Sequence, residues 1–200
     1  MPNWTSCKLE APEEVLKKYT GIDEDGKPYF DFNLVIPRPE IYNDPELTAG
    51  FDTDWCIYWY LSNKGENVRI IKTLFNFSFD DKTLNRCQEH SEEYYRRGQK
   101  YVQAFNQHGY KDWYDWSSDK WGTKWNACDS FFEDGCVTFQ TAWCYPKPVI
   151  NKIFKDNPDC YMVFTWEDED YDGTNTLIHN KNGSIERYTE WRGEDEREVC

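Results

Sequence analysis

The sequence predicts an α+β fold, and three observations carry that prediction. Apolar residues alternate in strand fashion at Phe30, Phe32 and Leu34, and again at Val137, Phe139, Thr141 and Trp143. Helix-period faces stand apart from these runs: Val149, Ile150, Ile153 and Phe154 form one. Leu84, Cys87, Ser91, Tyr94, Gly98, Tyr101 and Phe105 form a longer one. Asn182-Gly183, a strong tight-turn signal, sits between two strand-like runs near the C-terminal end, 176–178 and 184–191.

Taken in order, Trp4 to Leu9 reads as a short strand. Pro12-Glu13-Glu14 opens a helix, with acids in the first turn, Lys17 and Lys18 in the last, and Gly21 as the stop. Asp23 to Gly26 is a loop. Tyr29 to Ile36 reads as a strand closed by Pro37 and Pro39, followed by a Pro- and Asp-punctuated loop to Phe51. Trp55 to Leu61 is apolar on both faces, which suits a strand covered on both sides or a buried helical turn. Val68 to Phe79 suits a strand or a helix equally.

From Asp80 to Gln107 the spacing predicts one long helix, capped by Asp80 or Asp81 and ended by Gly109. Gly98 inside it costs about 1 kcal/mol relative to alanine, which marks a close packing point. Its other face carries Glu92–Arg96 and Glu93–Arg97 pairs at i, i+4 spacing. Trp121 to Trp125 is a ring-flanked turn and Asp134-Gly135 another. Cys136 to Trp143 is a strand, and Pro146 and Pro148 lead into a helix over 148–156. Tyr161 to Trp166 is a strand, Glu167 to Asp172 an acidic turn, and 193–200 a charged, fraying tail.

The formal net charge of −14 argues against general nucleic-acid binding and against anionic membranes, because like charge repels phosphate. It fits a basic partner. No apolar run approaches the roughly 20 residues that span a bilayer, and Met1 to Glu10 has no basic-then-apolar leader pattern, so a cytoplasmic protein is expected. The eight cysteines then read as thiols; they contain no C-x-x-C pair. No H-E-x-x-H, G-x-S-x-G, P-loop or dinucleotide glycine pattern occurs, so no cofactor is expected and the chain reads as non-enzymatic.

Met1-Pro2-Asn3-Trp4 leading into a strand, Trp121-Gly122-Thr123-Lys124-Trp125-Asn126-Ala127, and Phe139-Gln140-Thr141-Ala142-Trp143 followed by Pro146 and a helix together resemble the YubB-type ferredoxin-like domain family of plasmids and bacteriophages. Ile36-Pro37-Arg38-Pro39-Glu40 resembles its proline-paired turn. The resemblance implies a ferredoxin-like split βαβ core, β-α-β-β-α-β. Residues 1–40 would form its first half and 121–192 its second half plus a C-terminal β-hairpin. Residues 41–120 would be a large insertion between the second and third core strands, with its long helix near 80–107. The family supplies no activity to carry over. Thr5 stands where it usually has cysteine, and Cys144-Tyr145 replaces the usual small residue and proline.

Two sets of residues are candidates for contact. Trp121, Lys124, Trp125 and Trp143, with Arg38, form an expected ligand site: rings to stack a planar group and a cation for an anion. The alternative is that the same rings fill a core around the third strand, the commoner use of aromatics in such motifs. Glu167, Asp168, Glu169, Asp170 and Asp172 form an expected partner-binding surface. Asp168 to Gly173 also matches the first half of a calcium loop, but its twelfth position falls on His179, so no metal is expected. With the origin that the resemblance implies, the acidic, ring-rich composition and the lack of a catalytic motif predict a non-enzymatic phage or mobile-element protein. It would act as a counter-defence inhibitor in the host cytoplasm, docking an acidic surface on a basic groove of a host nucleic-acid-binding protein. The alternatives are a small-molecule or nucleotide binder using the aromatic groove, and a metal-dependent hydrolase built from distant carboxylates.

Overall fold

A computed structural model describes residues 3–65, 81–170 and 173–191 of the chain. In chain order its elements begin with β1 (Trp4–Glu10), α1 (Glu13–Lys18), β2 (Thr20–Ile22), β3 (Pro28–Phe30) and α2 (Thr53–Asn63). Next come α3 (Asp81–Glu89), α4 (Ser91–His108), α5 (Trp113–Lys120), β4 (Cys128–Glu133) and β5 (Cys136–Ala142). The last are α6 (Lys147–Asp156), β6 (Met162–Asp168), β7 (Gly173–His179) and β8 (Ile185–Trp191). The chain divides into two compact units: Met1–Pro37 with Ser117–Cys200, and Arg38–Trp116.

The first unit is organised by β1, whose period-two pattern buries Thr5, Cys7 and Leu9 and turns Trp4, Ser6, Lys8 and Glu10 the other way. It pairs antiparallel with β5 on one side and β6 on the other. The full sheet has six strands in the order β4-β5-β1-β6-β7-β8, every neighbouring pair antiparallel. One face carries the core: Leu9, Val137, Phe139 and Phe164 are buried there, and α6 buries Val149, Ile150, Ile153 and Phe154. Phe154 stacks on His179 at 5.0 Å, and Tyr145 on Trp166 at 4.1 Å. His179 is therefore a core residue; its Nδ1 lies 2.8 Å from the Cys160 carbonyl. The edges differ. β4 is bulged between Cys128 and Phe131, with Asp129 at φ 48°, whereas β8 keeps an unbroken register against β7.

The expected strand from Tyr29 to Ile36 is corrected. Only Pro28–Phe30 is extended, and it pairs with β2 in a separate two-stranded sheet. Asp31 then accepts from Asn33 N and starts a 3-10 turn over Phe32–Leu34. Phe30 and Phe32 are both fully buried, which the strand-like alternation had already suggested. The outer strand beside β5 is instead Cys128–Glu133, so the expected position of the insertion, between the second and third core strands, is not what the sheet displays. The hairpin forms with a longer loop than a two-residue turn: Asn180 N donates to Ser184 O, and Gly183 takes φ 79°.

In the second unit, Trp55 to Leu61 lies in helix α2, not a strand. The predicted single helix over 80–107 is two helices, α3 and α4, broken at His90; Asp80 lies outside the described residues. Helices α2 and α4 approach so closely at Gly98 that an added Cβ would meet the Cys56 carbonyl oxygen at 2.0 Å. Beside it, Arg97 donates through Nη1 to Asp52 at 2.7 Å and through Nη2 to Thr48 Oγ1 at 3.0 Å. Arg97 Nη2 also donates to Tyr101 OH, 3.0 Å away, which in turn donates to Thr48 O at 2.8 Å.

Candidate functional site

The site is built at the end of the sheet where β1 begins. Alternation along β1 puts Trp4 on the face opposite the core, and its ring lies 6.1 Å from that of Trp125, tilted by 33°. The Lys124 ammonium sits 4.4 Å from the Trp125 ring centroid and 5.6 Å from that of Trp143, a cation held between two π faces. The turn that delivers Lys124 and Trp125 depends on Gly122 at φ 79°, where a Cβ would meet Pro148 Cδ at 2.7 Å. Thr123 ties this turn to β5 by donating to Ala142 O at 2.9 Å.

Trp143 is the unusual member. It has φ 72°, a left-handed backbone that disfavours any residue with a Cβ. Two hydrogen bonds hold it there: Trp143 N donates to Asn3 O at 2.8 Å, and Thr141 Oγ1 donates to Cys144 O at 2.8 Å. Yet the ring is 45% exposed, so core burial does not repay the strain.

The acidic run reaches the same place through the first residues of β1. Thr5 Oγ1 donates to Asp168 Oδ1 at 2.6 Å. Trp4 N donates to Glu169 Oε2 at 2.9 Å, and Glu169 N donates back to Trp4 O at 3.0 Å. Asn3 Nδ2 donates to Asp170 Oδ2. Glu167 accepts from Thr174 Oγ1 at 2.6 Å. Each of the four carboxylates thus accepts a hydrogen bond from a neutral donor.

The two expected sets thus meet, through Asn3, Trp4 and Thr5, with two members placed elsewhere. Trp121 is buried in the core, edge-on to Phe32 at 5.8 Å, and its Nε1 donates to Ile36 O at 2.9 Å. Arg38 belongs to the second unit, where it donates to Asn43 Oδ1 at 2.8 Å. Asp172 lies outside the described residues. Trp4 was missed by sequence reasoning. The available signal was its phase: it shares the strand face of Ser6, Lys8 and Glu10, where a large ring has no core to fill.

Among the described residues no three His, Cys, Asp or Glu side chains gather as a metal site. No helix of the described residues is long and apolar enough to cross a membrane. Residues 120–199 match the family model described as the ferredoxin-like domain in Api92-like protein, so this portion of the chain is of ferredoxin-like class. A crystal structure of the protein api92 from Yersinia pseudotuberculosis aligns with 98% of this chain and 100% of its own, at 8% identity and a TM-score of 0.36. At that TM-score the likeness carries neither fold nor function. No curated protein matches the chain.

Proposed function

We propose that this chain is a non-enzymatic binding protein that docks the tryptophan-and-carboxylate end of its sheet on a basic partner. One observation carries the reading: an exposed residue on a strained backbone, Trp143, is hydrogen-bonded to Asn3, at the start of the short segment, Asn3 to Thr5, that fixes the carboxylates of Asp168, Glu169 and Asp170. Exposed tryptophans anchor interfaces, and surrounding charge sets the encounter rate and its salt dependence. A net charge of −14 steers the same kind of partner from a distance. The Lys124 ammonium already on the rings indicates that they accept cationic groups.

The test is affinity capture from a host lysate at about 0.05 M and about 0.5 M salt, with the parent and with a triple variant, Trp143→Ala, Glu169→Gln, Asp170→Asn. A basic protein retained by the parent at low salt, and lost from both the high-salt arm and the variant, is the expected result. Equal capture by parent and variant refutes the site. Nucleotides are expected to leave the tryptophan fluorescence unchanged, because the carboxylates beside the rings repel phosphate.

The finer reading is a YubB-type protein of a phage or other mobile element, inhibiting a host defence by occupying the basic groove of a nucleic-acid-binding protein in the host cytoplasm. The motifs Trp121 to Ala127 and Phe139 to Trp143 support the kinship. For the fold we read a split βαβ core formed by β1, α1, β4, β5, α6 and β6. The antiparallel ladders β4–β5, β5–β1 and β1–β6 support it. The inserted segment then lies between α1 and β4.

A further inference from the structure

The sheet face opposite the core carries a pattern that the tryptophan end does not use. Register places Phe131, Thr138, Lys8, Thr165, Thr176 and Tyr188 in one row across the strands. The row ends in exposed rings, Phe131 at 61% and Tyr188 at 50%, and its interior is hydroxyls around a single lysine. Adjacent strands are about 4.8 Å apart, so five intervals make the row about 24 Å long. Carboxylates stand on both flanks: Glu133, Glu10 and Glu186 on one side, Glu167 and Glu190 on the other. Asp129, set by the bulge in β4, joins Ser6, Gln140 and Glu167 around a shallow groove of about 400 Å³.

Among the described residues of these strands, the only cation on this face is Lys8, and Glu10 pairs with it at 2.6 Å. Hydrogen bonds from Tyr188 and Asn180 hold the Glu186 carboxyl below the usual carboxylate range, so its charge persists into mild acid. Resting on the reading above, we propose that this face is a docking surface for a lysine- and arginine-rich extended segment of the partner, laid along the Phe131–Tyr188 row. The fit is geometric as well as electrostatic. An extended chain of about seven residues spans the row at 3.3–3.6 Å per residue. Its side chains alternate to the two sides, where the carboxylates stand. Phosphate is repelled by the same flanks, and so is a second copy of this chain, which would bring like charges together.

The test titrates the full chain, labelled with nitrogen-15, with an arginine-rich nonapeptide at physiological salt, following amide shifts. Shifts are expected to centre on Thr138, Thr165 and Thr176. The double variant Thr165→Arg, Thr176→Arg is expected to bind about tenfold more weakly while keeping the parent spectrum elsewhere. Glu186→Gln and Glu190→Gln each weaken binding by about two- to fivefold. Shifts confined to Asn3, Trp143 and 167–170 overturn the sheet-face inference and leave the tryptophan end as the docking site. Shifts spread evenly over the surface, or unchanged affinity in the arginine variant, also overturn it. A peptide that does not bind the parent even at low salt removes both this surface and the basic-partner reading.

Discussion

Replacing Gly98 by alanine tests the closest approach in the second unit. The added Cβ would lie 2.0 Å from the Cys56 carbonyl oxygen, 2.7 Å from the Cys56 carbonyl carbon and 2.7 Å from Tyr60 Cβ. Two of these three atoms are backbone of α2, so no rotamer change relieves the clash; the helices must separate. Separation loosens the packing of Cys56 and Ile57, both fully buried. In an exposed helix the same substitution stabilises by about 1 kcal/mol. Overpacking of a tight contact costs about 1–3 kcal/mol and more where backbone must move. The net expectation is a loss of about 2 kcal/mol. In a chain of this length that corresponds to a fall of about 4–8 °C in Tm for the transition that reports on α2 and α4. Denaturant unfolding followed by far-UV circular dichroism supplies the number, with Gly98→Ser as a second enlargement expected to be at least as harmful. A variant that melts at or above the parent's temperature would refute the packing argument, because only helix propensity would then remain.

Trp143→Gly separates stability from binding: glycine relieves the left-handed strain, while the exposed ring contributes little to the core, so thermal stability stays within about 1 kcal/mol of the parent. Capture of the basic partner is nevertheless expected to fall by at least about tenfold, and unchanged capture by a folded variant counts against the ring. Arg97→Met leaves Asp52 without its main partner and is expected to cost about 3 kcal/mol in denaturant unfolding, with Arg97→Lys recovering part of it; a loss below about 1 kcal/mol contradicts the role of the guanidinium fork. Tyr101→Ala, at a position with no exposed surface, is expected to cost about 3–4 kcal/mol, and Tyr101→Phe about 1 kcal/mol through the lost hydroxyl. Lys100 lowers the carboxyls of Asp44 and Glu46 from their ordinary values of 3.8 and 4.5, so their contribution is complete above about pH 5 and is lost as pH falls through the depressed folded values. Lys100→Met should flatten stability between pH 5 and pH 3 in denaturant titrations, and an unchanged acid slope would show that these carboxyls do not set it.

Residues whose local pattern agrees with their tertiary role were legible in advance. Val137, Phe139 and Thr141 alternate and are buried, and Val149 to Phe154 present one apolar helix face that is buried. Gly98 was legible for the opposite reason: a glycine inside a helical pattern needs a packing cause, and the Cys56 carbonyl supplies it. β4 was not legible, because the bulge at Asp129 breaks the two-residue period on which strand assignment depends. Helix α2 was misleading. Its run of tryptophan, isoleucine and tyrosine favours strands locally, and only packing against α4 selects the helix. The candidate site was half visible. Trp125, Lys124 and Trp143 announced themselves by type, but Trp4 and the acidic run join them only through pairings separated by more than 100 positions.

The two edges of the six-stranded sheet face different fates in an unfavourable environment. The bulge twists the β4 edge out of register for any incoming strand, a built-in refusal. Among the described residues β8 shows no such device; its seven residues keep a regular ladder, and what guards it is charge, at Glu186, Arg187 and Glu190. Colloidal behaviour is therefore delegated to ionisation rather than to shape. If the two glutamate charges are removed, as in the double variant Glu186→Gln, Glu190→Gln, only Arg187 is left to guard the β8 edge against edge-to-edge pairing. Such a variant acquires a pairing seam on one side only, so growth would begin with pairs joined through β8, which the bulged edge does not extend.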